Sequence, residues 1–120
     1  MESPAPPGAA DRAGAPVVTD NPVLSRFELH VAGELAGFVD YRLHGRDGRD
    51  GQVINLIHTE VDPRFQGAGY ATVLARASLD AARERHLAVL PTCPYIRSWI
   101  AKHPSYVDLV PAERRTDFGL

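Results

Sequence analysis

Cysteine is nearly absent from this chain, which carries a single one, Cys93, among its 120 residues. A lone cysteine excludes an internal disulfide and is typical of a reducing compartment, so we expect a cytoplasmic protein. Long apolar runs are missing as well, and no stretch approaches the roughly 20 residues that a membrane-spanning helix needs. The start of the chain also lacks the basic residues and the apolar core of a secretory signal peptide. We therefore expect no membrane association.

An excess of positive charge is missing too, because the formal net charge is −2 and both signs are interspersed. Domains that bind nucleic acids typically show a basic excess, so we expect no nucleic-acid partner. The five histidines are scattered along the chain, and no pair stands at metal-ligand spacing beside a cysteine or carboxylate cluster. We therefore predict no metal site.

Apolar periodicity is absent from the first part of the chain, where residues 1–16 are almost entirely Pro, Ala and Gly. Such a segment cannot bury enough surface to order itself, so we predict a disordered tail over 1–16. Residues 17–110 are expected to form one domain with a modest core. The charged segment 111–120 is predicted to be a loose C-terminal tail.

Two alternating segments flank the dipeptide Ala32-Gly33 and predict a β-hairpin. The first runs over 26–31 with apolar residues on one face. In the second, over 34–43, the residues expected to point inward are Leu35, Val39, Tyr41 and Leu43. The glycine-spaced charged segment 44–51 that follows is expected to be a flexible connector.

A central strand is predicted over 53–61, where apolar residues would occupy both faces. Asp62-Pro63 ends it, and glycines 67 and 69 lead into a helix. The apolar stripe predicted for this helix consists of Tyr70, Val73, Leu74, Ala77 and Ala81. A helix start after a glycine turn suits an anion, because its first N–H groups lack internal acceptors. A plain turn without a ligand is the alternative.

A second buried strand is predicted over 87–92, joined to the central strand by a parallel crossover through the helix. Pro91 indicates that pairing stops or splays there, because proline donates no ladder hydrogen bond. A short helix over 95–103, ended by Pro104, would follow. The predicted fold class is thus α/β, with a mixed sheet of N-terminal antiparallel strands, a β-α-β core and a short C-terminal helix.

The segment Gln66-Gly67-Ala68-Gly69-Tyr70-Ala71 resembles the Gln/Arg-x-x-Gly-x-Gly/Ala motif of the GNAT superfamily of acyl-CoA-dependent N-acyltransferases. The downstream run of residues 93–97 and the run 103–106 look like the small single-domain branch of that superfamily. The resemblance implies that the backbone amides of this motif, flanked by Gln66, hold the pyrophosphate of coenzyme A. It also implies that the preceding strand pairs with the pantetheine arm.

Two arginines are candidate phosphate partners under this resemblance, namely Arg64 beside Pro63 and Arg97 on the short helix. Each has an ordinary alternative as a solvated surface charge. The resemblance also implies a tyrosine on the short helix that protonates the leaving thiolate. The corresponding place falls near Trp99 or Ile100, and Tyr95 is a weaker substitute one turn earlier.

The candidate bases are His58 and Glu60, which stand two residues apart on one face of the central strand. A histidine titrates near neutral pH, and a glutamate raised by burial can serve as well. A polar pair bonded to neighbouring loops is the alternative. We prefer His58, because the run His-Thr-Glu-Val resembles the small branch at this position.

Cys93, before a helix start, is either a nucleophile that carries the acyl group or a small buried hydrophobic residue. Direct attack of the amine on the thioester is preferred over the covalent route.

Two functions remain open from the sequence. One is an acetyl-CoA-dependent N-acetyltransferase that acts on a small-molecule or peptide amine, as a monomer or weak homodimer. The other is a coenzyme A or acetyl-CoA binding module with little or no catalysis. The resemblance implies this alternative, because in larger GNAT proteins two helices follow the first strand and help to build the acceptor site, whereas here two residues stand in their place.

Overall fold

The computed structural model describes residues 14–46 and 49–120 of the chain. In the described part, five strands and two α-helices follow one another with three 3-10 turns. They are β1 (Pro16–Asn21), β2 (Arg26–Val31), β3 (Glu34–Arg46), β4 (Arg49–Val61), the turn Pro63–Phe65, α1 (Tyr70–Glu84), β5 (Ala88–Pro91), α2 (Pro94–Lys102), and the turns Pro104–Leu109 and Ala112–Phe118. Among these residues, no helix is long and apolar enough to cross a membrane.

The five strands form one sheet whose spatial order, β1-β2-β3-β4-β5, equals their order along the chain. The first four strands pair antiparallel, and β5 pairs parallel with β4 after the crossover through α1. The α/β class with a mixed sheet, predicted from the alternating and continuous apolar patterns, is confirmed.

The β2–β3 hairpin turns on Ala32 and Gly33, as predicted. Both residues have positive φ, 50° and 82°, and Val31 pairs with Glu34 across them. Two left-handed residues in succession match the twist of the flanking strands, which is why glycine is favoured in such a turn.

The inward set predicted for β3 is half wrong. Val39 and Tyr41 are buried, but Leu35 and Leu43 are exposed. Ala36 is an extra residue opposite β2, so this bulge turns Ala36 inward and Leu35 outward. Leu43 lies past Asp40, where the pairing of β3 with β2 ends, and the sheet no longer covers it from that side.

Strand β1 was not predicted, because its six residues carry little apolar alternation. Pro16, placed at the end of the predicted tail, begins this strand and pairs with Val31; residues 1–13 lie outside the described residues. Val18 packs against the core, and Asp20 accepts a hydrogen bond of 2.6 Å from the Tyr41 hydroxyl. The first strand is therefore tied to the domain by both apolar and polar contacts.

The ionisation of Tyr41 is expected to lower the stability of this domain at alkaline pH. Burial, together with the Asp20 carboxylate, raises the pKa of Tyr41 to about 12 from 10.0. A raised pKa means that the neutral phenol is favoured in the folded state, so its contribution is full below pH 10 and is lost as the pH rises toward 12. We expect Tyr41→Phe to lower the free energy of unfolding by about 1 kcal/mol near neutral pH. Urea denaturation of both proteins should show this difference shrinking between pH 10 and 12; a constant difference would contradict the assignment.

Helix α1 buries a face that is rotated from the predicted stripe. Leu74 is buried as expected, and Tyr70, Val73 and Ala81 are half-buried against the core. The fully buried set is Leu74, Ala75, Ser78, Leu79 and Ala82. Leu79, expected on the opposite side, thus lies in the core, because α1 packs along the sheet through a wider face than one stripe.

Two segments predicted as irregular have regular structure. The connector over 44–51 is reduced, since β3 continues to Arg46 and β4 begins at Arg49; residues 47 and 48 lie outside the described residues. The predicted tail 111–120 contains the 3-10 turn Ala112–Phe118, and Phe118 and Leu120 pack against the core. The charge of this segment concealed these two apolar contacts.

Candidate functional site

The glycine turn before α1 is shaped by local hydrogen bonds and by two left-handed residues. Asp62 caps the turn Pro63–Phe65 by accepting from the Arg64 backbone N–H at 2.9 Å, and this bond holds the pKa of Asp62 below its ordinary value. Gly67 and Gly69 then adopt φ of 89° and 80°, which L side chains rarely tolerate. The turn therefore needs glycine at both positions.

The start of α1 presents backbone donors to open space. The first intrahelical bond joins the Val73 N–H to the Gly69 carbonyl at 3.3 Å, so the preceding first-turn amides are those that a helix leaves without internal acceptors. A Cβ placed on Gly67 or Gly69 would meet no atom within 4 Å. A diphosphate can therefore approach this backbone closely, and the positive end of the helix dipole favours its charge.

A cavity of about 210 Å³ lies at this helix start. Its lining joins the end of β4, the glycine turn, the first turn of α1 and the start of α2: Val61, Gln66, Gly67, Gly69, Tyr70, Ala71, Thr72 and Tyr95. The Gln66 side chain donates to the Val61 carbonyl at 3.1 Å and so joins the turn to the strand. The cavity thus brings together most of the residues predicted to bind coenzyme A. Ala68, which is exposed, lies in the same turn.

The gap between β4 and β5 opens beside this cavity, as Pro91 predicted. Parallel pairing ends at Leu56 and Pro91, and the Cys93 N–H donates to the Leu56 carbonyl at 2.8 Å. Strand β4 continues to Val61, so within the described chain its last residues have no β5 neighbour. Their backbone groups on that edge are available to an extended ligand.

The two candidate arginines are engaged by the chain itself. Arg64 is exposed and forms ion pairs with Asp62 and Glu34, each at 3.3 Å. The hydrogen bond that its guanidinium donates to the Asp62 carboxylate, together with the two carboxylate charges, raises the Arg64 pKa. Arg97 donates to the Thr92 carbonyl at 2.9 Å and lies 6.0 Å from the centre of the Phe118 ring. Arg64 adjoins the glycine turn, whereas Arg97 contacts Thr92 directly after β5 and Phe118 in the C-terminal segment.

His58 and Glu60 form a pair on the exposed face of β4, where His58 Nε2 lies 3.1 Å from Glu60 Oε1. A carboxylate accepts hydrogen bonds, so in this contact Nε2 is the donor, and in the neutral ring Nδ1 is then the acceptor. Their cross-strand partners are Asp40 and Phe38, while Thr59 between them stands opposite the buried Val39. The pair therefore occupies the face opposite the buried residues of the sheet.

Cys93 is buried, with 3% of its surface exposed, and its Sγ lies 3.4 Å from Thr59 Oγ1. Because Thr59 points to the other face from His58 and Glu60, the thiol is not grouped with that pair. The Cys93 side chain packs in the core just after the end of β5. This environment fits a small buried side chain.

The place on α2 that the resemblance implies for a tyrosine is buried, and the tyrosine one turn earlier lines the cavity. Trp99 and Ile100 are buried in the core, whereas Tyr95 is 36% exposed and lines the cavity. Its hydroxyl lies 3.1 Å from Thr72 Oγ1 on α1. The sequence did not single out Thr72, and only the helix pairing brings the two hydroxyls together.

Within the described part of the chain, no group of three or more His, Cys, Asp or Glu side chains is arranged to hold a metal ion.

Comparison with known proteins identifies the family of this chain. The model of the GCN5-related N-acetyl-transferase family matches residues 26–109. The chain is 38% identical over 53 residues to Protein NATD1 of Homo sapiens, a match that covers 44% of this chain and 47% of that protein. Protein NATD1 of Danio rerio is 33% identical over 61 residues, covering 49% and 56%. These matches span about half the length of the relatives.

A solved structure supports the same fold. The ribosomal-protein-alanine N-acetyltransferase from Brucella melitensis biovar Abortus 2308 aligns with a TM-score of 0.50 and 23% identity, covering 72% of this chain and 61% of that one. At that identity the likeness concerns the fold. The family model spans most of the chain and includes the glycine turn, the gap between β4 and β5 and the His58–Glu60 pair. The chain belongs to the GCN5-related N-acetyltransferase family.

Proposed function

We propose that this protein is an acetyl-CoA-dependent N-acetyltransferase that moves an acetyl group directly to an amine. The observation that carries the proposal is the cavity at the start of α1, which adjoins the unpaired edge of β4. A glycine turn with open backbone suits the diphosphate of coenzyme A, and a strand edge suits its amide-containing arm. Family membership supports the same donor, since such enzymes typically use acetyl-CoA.

Acetyl-CoA supplies the activated acetyl group as a thioester. In this chain, the amides of Gly67 to Ala71 would hold the diphosphate, with Arg64 adjoining them as a partly neutralised cation. The backbone of β4 near 58–61 would orient the acetyl carbonyl, because main-chain N–H groups polarise a carbonyl oxygen. Arg97 is a weaker candidate for donor binding, because its guanidinium bonds to Thr92.

His58 is the proposed base, and Glu60 orients it. An amine attacks only in its neutral form, so a group near the acetyl must take its proton. Glu60 holds the proton on Nε2 of His58, which leaves Nδ1 free to accept one. Both side chains are more than half exposed, so an amine on a small molecule or a peptide can reach them.

Tyr95 is the proposed acid for the leaving sulfur. It is the α2 side chain that carries a hydroxyl into the cavity. Cys93 is assigned to packing near the acetyl group rather than to a covalent step, because its thiol is buried and faces Thr59. This supports direct attack.

A binding module with little catalysis is the second candidate. The observation that favours it is the two-residue link between β2 and β3, which leaves the His58–Glu60 face without a covering element from that connection. We propose for either function a monomer or weak homodimer in the cytoplasm, consistent with the free thiol of Cys93.

Binding of the donor can be tested at Gly69. We expect acetyl-CoA to raise the melting temperature of the protein, and Gly69→Ala to abolish most of that rise, because its Cβ would occupy the space of the diphosphate. Replacement of a glycine with φ of 80° also strains the backbone by about 1–2 kcal/mol.

Gly119→Ala is the matched control. Gly119 has φ of 70° and open space around its Cβ position, but it lies at the C-terminus, outside the cavity. Both variants should melt lower without ligand, and only Gly119→Ala should keep the shift with acetyl-CoA. An equal ligand shift in both variants would place the diphosphate elsewhere.

A further inference from the structure

The hydrogen bond between Thr72 and Tyr95 joins two helices across the mouth of the candidate donor cavity. Thr72 lies in the first turn of α1 and Tyr95 in the first turn of α2, and their oxygens are 3.1 Å apart. Both residues are exposed, so without this contact each hydroxyl would bond to water and the Tyr95 phenol could change its orientation. The bond to Thr72 restricts that orientation.

The direction of this bond decides what Tyr95 can do. Each hydroxyl has one proton and can also accept. If Tyr95 donated to Thr72, its proton would be engaged by the Thr72 oxygen and would not be available to a ligand in the cavity. If Thr72 donates, the Tyr95 proton is free to point into the cavity, and the same bond stabilises the phenolate after the proton has left. The nearby positive end of the α1 dipole favours that anion as well.

We propose that Thr72 is a positioning residue that donates to Tyr95 and thereby makes Tyr95 the acid for the leaving sulfur. This inference rests on the proposed function. As the acetyl carbon bonds to the amine nitrogen and its bond to sulfur breaks, the electron pair goes to sulfur and Tyr95 gives sulfur its proton. His58 takes the amine proton, and Thr72 donates a hydrogen bond to the phenolate. The cycle closes when His58 releases its proton to solvent and solvent returns one proton to Tyr95.

The test compares Thr72→Val, which keeps the shape and removes the hydroxyl, with Thr72→Ser, which restores it. The first measurement is the ionisation of Tyr95 by ultraviolet absorbance in the protein without ligand. Subtracting the curve of the matching Tyr95→Phe variant isolates the Tyr95 phenol. Tyr41 and Tyr106, whose raised pKa values move their ionisation to higher pH, are present in both proteins and cancel in the difference. Thr72→Val should move the ionisation midpoint upward by about 0.5–1 pH unit, because a donor to the phenolate is lost. Thr72→Ser should restore most of it.

The second measurement is acetyl transfer from acetyl-CoA as a function of pH. Thr72→Val should lower kcat about tenfold, and the alkaline limb of its pH profile should move upward with the phenol ionisation. A merely structural role would leave both the ionisation and this limb in place, and that result, or a downward shift, would overturn the proposal. If the wild type binds acetyl-CoA but transfers acetyl to no amine in a broad panel, the proposed function fails instead, and the assignment of Tyr95 as acid fails with it.

Discussion

His58→Ala is expected to lower kcat for acetyl transfer by about 10²–10⁴-fold at neutral pH, while the melting-temperature shift with acetyl-CoA stays close to that of the wild type. His58 would be the group that removes the amine proton, and its exposed ring contributes little to packing. A steady-state assay against a panel of amines and peptides measures the loss. Raising the pH should recover part of it, because more of the amine is then already neutral.

Two variants make this result specific. His30→Ala removes another histidine from the same sheet face, where His30 adjoins Glu28, and should leave kcat nearly unchanged. Cys93→Ala should retain most of the transfer under the direct route. If Cys93→Ala loses as much as His58→Ala, or if mass spectrometry finds a Cys93 adduct that forms rapidly with acetyl-CoA and discharges to amine at the turnover rate, the covalent route replaces it.

Gly37→Ala is expected to lower the free energy of unfolding by about 3 kcal/mol, the upper end of the range for overpacking. A Cβ at Gly37 would lie 2.6 Å from the Glu60 carbonyl oxygen and 3.2 Å from a Leu74 methyl. The Leu74 side chain can rotate, but the backbone oxygen cannot move without displacing β4. Because Glu60 belongs to that backbone, acetyl transfer should fall as well. Urea denaturation and the transfer assay together measure both effects.

Gly33→Ala separates close packing from backbone strain. A Cβ at Gly33 meets no atom within 4 Å, but the residue has φ of 82°. We expect it to cost about 1–2 kcal/mol through strain alone and to spare transfer. Equal losses of stability in the two variants would show that β3 and β4 adjust to the extra methyl group.

The glycine turn and the end of the β4–β5 pairing were predictable, because both depend on local rules. Gly67 and Gly69 supply conformations that other residues avoid, and Pro91 cannot donate to a ladder. The same holds for the hairpin at Ala32 and Gly33.

The remaining features depend on contacts between distant segments. A bulge at Ala36 reverses the side on which Leu35 points, and alternation alone carries no sign of it. Leu79 is buried because of how α1 lies on the sheet, and Phe118 because the chain end returns to the core. At the site, counting along α2 favoured Trp99 or Ile100, yet the facing of α1 and α2 places Tyr95 at Thr72. The burial of Cys93 against Thr59 is likewise a product of tertiary packing.

The sheet order, which repeats the chain order, has a consequence for folding kinetics. Strands β1 to β4 form by successive neighbouring pairings, so their closure requires only short loops and should be early. The pairing of β5 with β4 must wait for the crossover through α1, and α2 follows it. The cavity at the starts of α1 and α2 would then be completed in the last and slowest step. Acetyl-CoA added during refolding should therefore leave the rates of the earlier steps unchanged. It should instead slow the unfolding of the C-terminal half.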